Sequence, residues 1–352
     1  MSPSDKIRIL VIDDSAYNRM TLTDILSAEE DMTVIGKACD GEEGLEVALR
    51  EKPDVITLDL EMPRMGGFPF LRILLSKVTI PVIVISSHNE PDKVFRALEL
   101  GAIDFVAKPS KTVSPTLKQI GNQVVAKVRM AAGIVQGRAA RAQIPNPPKI
   151  VKGKSVAPRS PATEVMGIAA STGGPQALTK VLSELPEYLE AGILVVQHMP
   201  PGFTTSFAER LDKLCKIRVV EPKVRTRLQK GTAYIAPGDK CLELERDDVG
   251  FQIAVVPPDG SERIVPSADR LFLSMATAGL QHSLGVVLTG MGKDGSLGVG
   301  PLSRSGGVIV VEDESTAVVP GMPNAAVQTG VVQQSIPLNR IAKYIIDFFH
   351  GF

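Results

Sequence analysis

Three residue types that together perform acyl transfer stand far apart in this 352-residue chain: Ser171 in GIAASTGGP, His198 at the end of GILVVQH and Asp294 in LTGMGKDG. An apolar run stops at Ser171, and a glycine pair followed by proline opens a helix. A hydroxyl is therefore expected on a strand-to-helix turn, where Oγ stands out of the fold and the helix N-terminus offers unpaired N–H groups to a developing oxyanion. A serine or threonine there can also merely cap the helix. Two other glycine-rich patterns do not fit. A dinucleotide G-x-G-x-x-G needs glycines where Ala169 and Thr172 stand, and the G-x-S-x-G elbow is met only with Ala169 as its first glycine. Of the four histidines, His88 lies in the first half, His350 in the last residues and His282 ahead of its strand, whereas His198 ends a strand at the edge expected for Ser171. His198 is thus the expected base. Asp294, in the loop after the strand that His282 precedes, is expected to orient the imidazole through Nδ1. A Walker reading of the same loop fails, because Asp294 and Val287 occupy positions that must be Ser/Thr and Gly.

A second set consists of Asp13, Asp14, Asp59, Ser86 and Lys108. Oxygen-only ligands suit Mg²⁺, and a carboxylate such as Asp59 can accept a phosphoryl group as an acyl phosphate. Each of these residues alone could be a helix cap or a solvated charge, but independent caps give no reason for a lysine at the last strand.

Both sets depend on strand ends. The runs IRILVID, MTVIGKA, DVITLDL, PVIVISS and IDFVAKP are continuous rather than alternating, as in strands buried on both faces of a parallel sheet, and helical stretches separate them. The fold class read from this is α/β, doubly wound, with ligands bound outside the carboxyl ends of the strands. Alternation resumes from EVMGIAAS onward, with YIAP, CLELERD and FQIAVV expected as an antiparallel insert, a helix over 269–280 and a closing helix over 338–349. The expectation is two such domains, at 1–130 and 163–352, the second a mostly parallel sheet with a hairpin at one end. Between them, 131–162 reads as a linker carrying five prolines and six basic residues.

Lysine plus arginine equals aspartate plus glutamate at 39 each, and tryptophan is absent, which argues against nucleic acid as a partner. Three scattered cysteines form no C-x-x-C pair, and no apolar run approaches the length of a membrane span. A soluble, cytoplasmic, monomeric protein is expected.

The first-half pattern of DD, DLEMPRMGG, a hydroxyl and AKP resembles the receiver domain of two-component response regulators. That resemblance implies Mg²⁺ held by Asp13, Asp14 and Asp59, phosphorylation of Asp59, phosphoryl oxygens gripped by Ser86 and Lys108, and a switch role for Phe105. Gly66 stands where such domains usually have aspartate. With a receiver in front, AASTGGP, VVQHMPPGF, YIAPGD, LTGMGKDG and AVVPGMPNAA resemble the chemotaxis protein-glutamate methylesterase family. This implies hydrolysis of glutamyl methyl esters on methyl-accepting chemoreceptors, a chemotaxis histidine kinase as phosphoryl donor, and deamidation of receptor glutamines. Ser171 would be nucleophile, His198 base and acid and Asp294 orienter, with Met291 N–H in the oxyanion hole and Thr172 in support. Asp239 and Cys241 replace the glycine and histidine common in that family. The competing reading is a response regulator whose output domain only binds a partner; a DNA-binding output lacks a basic recognition helix.

Overall fold

The computed structural model describes residues 6–87, 90–108, 120–134 and 159–350, of which Ser87 in backbone only. His88, Leu117 and most of the expected linker, 135–158, lie outside the described residues. The chain divides into two compact units between residues 145 and 146.

In the first unit the continuous apolar runs form β1 (Ile7–Ile12), β2 (Met32–Ala38), β3 (Val55–Leu58), β4 (Val82–Ser87) and β5 (Asp104–Lys108). They pair in parallel in the order β2-β1-β3-β4-β5. Every residue of β3 is buried, because helices cover both faces of the sheet. The last helix, Gly121–Ala132, runs two residues past the expected domain end at 130.

The second unit contains β6 (Glu164–Ala170), β7 (Ala191–Gln197), β8 (Arg218–Val220), β9 (Thr226–Arg227), β10 (Thr232–Ile235), β11 (Cys241–Asp247), β12 (Gly250–Val256), β13 (Ser283–Val287), β14 (Val308–Glu312) and β15 (Gln334–Ile336). Seven of these make a parallel sheet in the order β15-β14-β13-β6-β7-β10-β8. The chain leaves β6 toward β7 on one side and later returns as β13 on its other side, so the strand order reverses at β6. Crevices outside such reversal points are where α/β sheets bind ligands. The described part of this unit begins at Arg159, ahead of the expected boundary at 163: Arg159 donates to the Glu187 carbonyl, and Ala162 N–H to that of Leu228.

One expectation fails here. YIAP is not part of an antiparallel insert: as β10 it lies inside the parallel sheet between β7 and β8, all four residues of the strand buried. A strand buried on both faces loses the alternation of a surface hairpin, and the polar turns around it gave no sign of its partners. CLELERD and FQIAVV do form a hairpin, extended by β9 into a separate three-stranded sheet. That sheet packs on the helix Ala268–Thr277, where Leu244 N–H donates to Ser274 Oγ at 2.9 Å. The same helix presses Phe272 and Met275 onto β6, and a Cβ at Gly167 would lie 2.7 Å from Met275 Sδ. No helix among the described residues is long and apolar enough to cross a membrane.

Candidate active site

β6 and β7 run in register from Glu164↔Ala191 to Ala170↔Gln197, so the next residues, Ser171 and His198, leave the sheet side by side. His198 N–H donates to the Ala170 carbonyl at 3.1 Å. The turn after Ser171 closes through Gly174 N–H to Ser171 O at 2.8 Å, and Gly173 takes φ 76° as N-cap of the helix Gly174–Glu184. Only glycine adopts that conformation without strain, and a Cβ there would lie 2.9 Å from that of Val318. Because the cap is Gly173 and no side chain serves it, the Ser171 hydroxyl is not spent on capping.

Asp294 reaches His198 at 2.8 Å, with the carboxylate on Nε2 rather than on the expected Nδ1. Nδ1 is buried and has no hydrogen-bond partner. The ring therefore presents Nε2 to the loop after β13 and leaves Nδ1 without a partner.

Asp294 also accepts Ala268 N–H at 2.7 Å, Asp269 N–H at 3.0 Å and the Ser267 hydroxyl at 3.3 Å, placing it on the N-terminus of the helix Ala268–Thr277. Burial pushes its carboxyl upward, but the hydrogen bond and charge of His198 and the two N–H groups outweigh this and hold it below the ordinary carboxylate value. Asp269 returns the arrangement by accepting Leu297 and Gly298 N–H at the start of the next helix, Ser296–Arg304. Its own carboxyl is raised by burial and by the Asp294 charge.

Sequence reasoning missed Gln197 and Thr289. Gln197 Nε2 donates to both Ser171 O (2.9 Å) and His198 O (3.1 Å), bridging the two turns. Thr289 O accepts Ser171 N–H at 3.0 Å, while its hydroxyl donates to Thr172 O at 2.9 Å. The following Gly290 packs directly on the serine: a Cβ there would lie 2.9 Å from Ser171 Cβ. Thr172 is buried and Met291 is exposed at the rim. The polar Gln in an apolar strand and the Thr closing VVLT were the only sequence signals.

Of the two departures in YIAPGDKCL, Asp239 is exposed, whereas Cys241 is buried at the start of β11 with its thiol pushed up by burial. Gly66 is the N-cap of the helix Gly67–Lys77 and offers no side-chain cap.

In the first unit, Asp13, Asp14 and Asp59 each offer a carboxylate oxygen within 4.8 Å of the others. Lys108 Nζ bonds Asp13 at 2.8 Å and also reaches Asp59. Burial raises the Asp59 carboxyl, against the opposing charge and hydrogen bond of Lys108. Burial alone would lower Lys108; the charges of Asp59 and Asp13 raise it. Ser86 is buried at the end of β4 with Oγ unpartnered. Phe105 is buried, and Lys127 Nζ lies 5.4 Å from its ring centroid. Three clustered carboxylate oxygens form a donor set for a hard, oxygen-seeking dication.

Comparison with known proteins adds a family context. A family model described as CheB methylesterase matches residues 166–345, and one described as response regulator receiver domain matches 9–116. The chain is 45% identical, over 97% of each sequence, to protein-glutamate methylesterase/protein-glutamine glutaminase 3 of Geobacter sulfurreducens. It is 40% identical to the Pyrococcus abyssi protein-glutamate methylesterase/protein-glutamine glutaminase, over 97% of this chain and 93% of that one. Among solved structures, the Thermotoga maritima CheB methylesterase catalytic domain matches with a TM-score of 0.50 at 34% identity, covering 55% of this chain and 99% of that one.

Proposed function

Because the chain belongs to the CheB methylesterase family and carries a response-regulator receiver domain ahead of the esterase unit, we propose that it hydrolyses γ-glutamyl methyl esters on chemoreceptors under receiver control. The observation that carries this reading is the placement of Ser171 beside His198, whose Nε2 is held by Asp294 and whose Nδ1 is left unpartnered. Ser171 Oγ attacks the ester carbonyl and passes its proton to His198 Nδ1, and the imidazolium stays paired with Asp294. Collapse of the tetrahedral intermediate expels methanol, which takes the proton from His198. A water molecule activated by the same nitrogen then hydrolyses the acyl-enzyme to the glutamate carboxylate and free Ser171. Met291 N–H, in the turn packed on Ser171, serves as oxyanion donor, with Thr172 in support. A glutamine side chain enters the same sequence with ammonia as leaving group, so deamidation requires no further residue.

In the receiver, Asp59 accepts a phosphoryl group from a histidine kinase. Asp13, Asp14 and Asp59 fit Mg²⁺, which when bound supplies charge neutralisation for the transferred group. Lys108 and Ser86 take the phosphoryl oxygens, a reading supported by the Lys108 contacts to Asp13 and Asp59. Methanol release from methylated receptor membranes tests the esterase reading. For the receiver, a labelled small-molecule phosphodonor should mark the full chain only with Mg²⁺ present, and chelator or Asp59→Asn should abolish the label; equal labelling under all three conditions would count against this pocket.

A further inference from the structure

Glu312 is the one charged residue of β14 and is 1% exposed at the carboxyl end of that strand. Its Oε2 accepts Thr289 N–H at 2.9 Å, and Oε1 is buried with no hydrogen-bond partner. The residue it holds is the one that touches the candidate nucleophile. Thr289 O takes Ser171 N–H, Thr289 Oγ1 donates to Thr172 O, and Val319 N–H donates to Thr289 Oγ1 at 3.0 Å. Beyond it, Gly290 N–H donates to Val319 O and Gly290 O accepts Met322 N–H, both at 2.9 Å, so the turn leading to Met291 is clamped from both sides. A strong acceptor is needed under Thr289 because a buried N–H left unpaired costs more than the net worth of one hydrogen bond.

We propose that Glu312 is a positioning residue for Ser171 and the Met291 turn, acting through Thr289, and that it does so as a neutral acid. The surroundings fit an uncharged group. Neighbouring strands Ser283–Val287 and Gln334–Ile336 and the helix Gly321–Val327 carry no ionisable side chain. The helix Ser296–Arg304 carries only Arg304, four residues before β14 begins and so at the opposite end of that strand. The ionised neighbour is Asp313, and it repels a second negative charge. The nearby Thr316 hydroxyl is engaged by Asp313 O and Leu338 N–H. Burial, opposed by the Thr289 N–H and reinforced by the Asp313 charge, raises the carboxyl from 4.5 to about 7. A folded-state value above the unfolded one means that the stability Glu312 contributes is full below about 4.5 and is lost as pH rises through about 7.

The test uses the full chain, with methyl-ester hydrolysis and thermal unfolding as readouts. Glu312→Leu, which leaves Thr289 N–H without an acceptor, is expected to lower kcat about 10–100-fold with KM within about twofold. Glu312→Gln keeps an acceptor oxygen and never ionises. It is expected to restore kcat to within about threefold and to raise the melting temperature over wild type at pH 8 but not at pH 5. A folded Glu312→Leu with kcat within about twofold of wild type would overturn the proposal. If the Leu variant does not fold, the Gln variant decides, and melting in parallel with wild type at both pH values would overturn it. The inference rests on Ser171 as nucleophile, which fluorophosphonate labelling of the wild type tests separately: no label at Ser171 removes both readings, whereas a label together with unaffected Glu312 variants removes this one alone.

Discussion

Ser171→Ala is expected to fold as the wild type does and to lose ester hydrolysis by roughly 10⁴-fold or more, because the hydroxyl alone supplies the acyl-enzyme route. The hydrogen bonds that fix the turn use the Ser171 backbone: N–H to Thr289 O, and O from Gly174 N–H and Gln197 Nε2. None of them uses Oγ, so the substitution leaves the scaffold in place and the loss should appear in kcat with an unchanged melting temperature. Retention of hydrolysis within about tenfold of wild type would remove the serine from the mechanism.

Asp294→Asn should be costly twice over. The carboxylate accepts from His198 Nε2 and from two backbone N–H groups and a hydroxyl at one helix start, and an amide places an N–H against at least one of those donors. Loss of the orienting acceptor leaves the imidazole free to take the wrong tautomer, which is worth about 10⁴-fold in kcat in triads of this kind. Ser267 still caps the helix, but weakening the charge-assisted bonds to the Ala268 and Asp269 N–H groups of its first turn should cost about 1 kcal/mol of stability. The pH dependence carries a sign that can be checked. A folded value held below the ordinary 3.8 contributes stability that is present above that value and lost as pH falls through the depressed one. Wild type and Asn variant should therefore differ in melting temperature at pH 7 and converge in acid. Divergence in acid, or a kcat loss below tenfold, would contradict the role given to Asp294.

Much of this site was legible in the sequence because its chemistry sits at strand ends. A continuous apolar run that stops at a serine, a histidine or an aspartate carries its own polarity, so Ser171, His198 and Asp294 could be brought to one edge without coordinates. His282 illustrates the converse: it precedes β13, and the structure finds it at the other edge, stacked on Phe348 and bonded to Glu164 at the start of β6. What stayed hidden depended on long-range register or on side-chain rotation. Gln197 bridges two turns only because β6 and β7 are neighbours in register. Glu312 matters only because β14 lies beside β13 and its end meets Thr289. Which imidazole nitrogen faces Asp294 is set by torsions that leave no trace in composition or spacing. β10 was misplaced for a related reason: a four-residue buried run between polar turns does not name its partners.

The central claim is that one chain couples a phosphoryl-accepting receiver to a serine esterase. Its most direct test is methanol release from methylated receptor membranes by the full chain, with and without a small-molecule phosphodonor and Mg²⁺, alongside a fragment of the esterase unit starting before Arg159. A coupling of ~1–3 kcal/mol predicts that phosphodonor accelerates the full chain about 5–150-fold and leaves the fragment's rate unchanged. Equal rates for the full chain in the presence and absence of phosphodonor, or no methanol release in either state, would contradict the account.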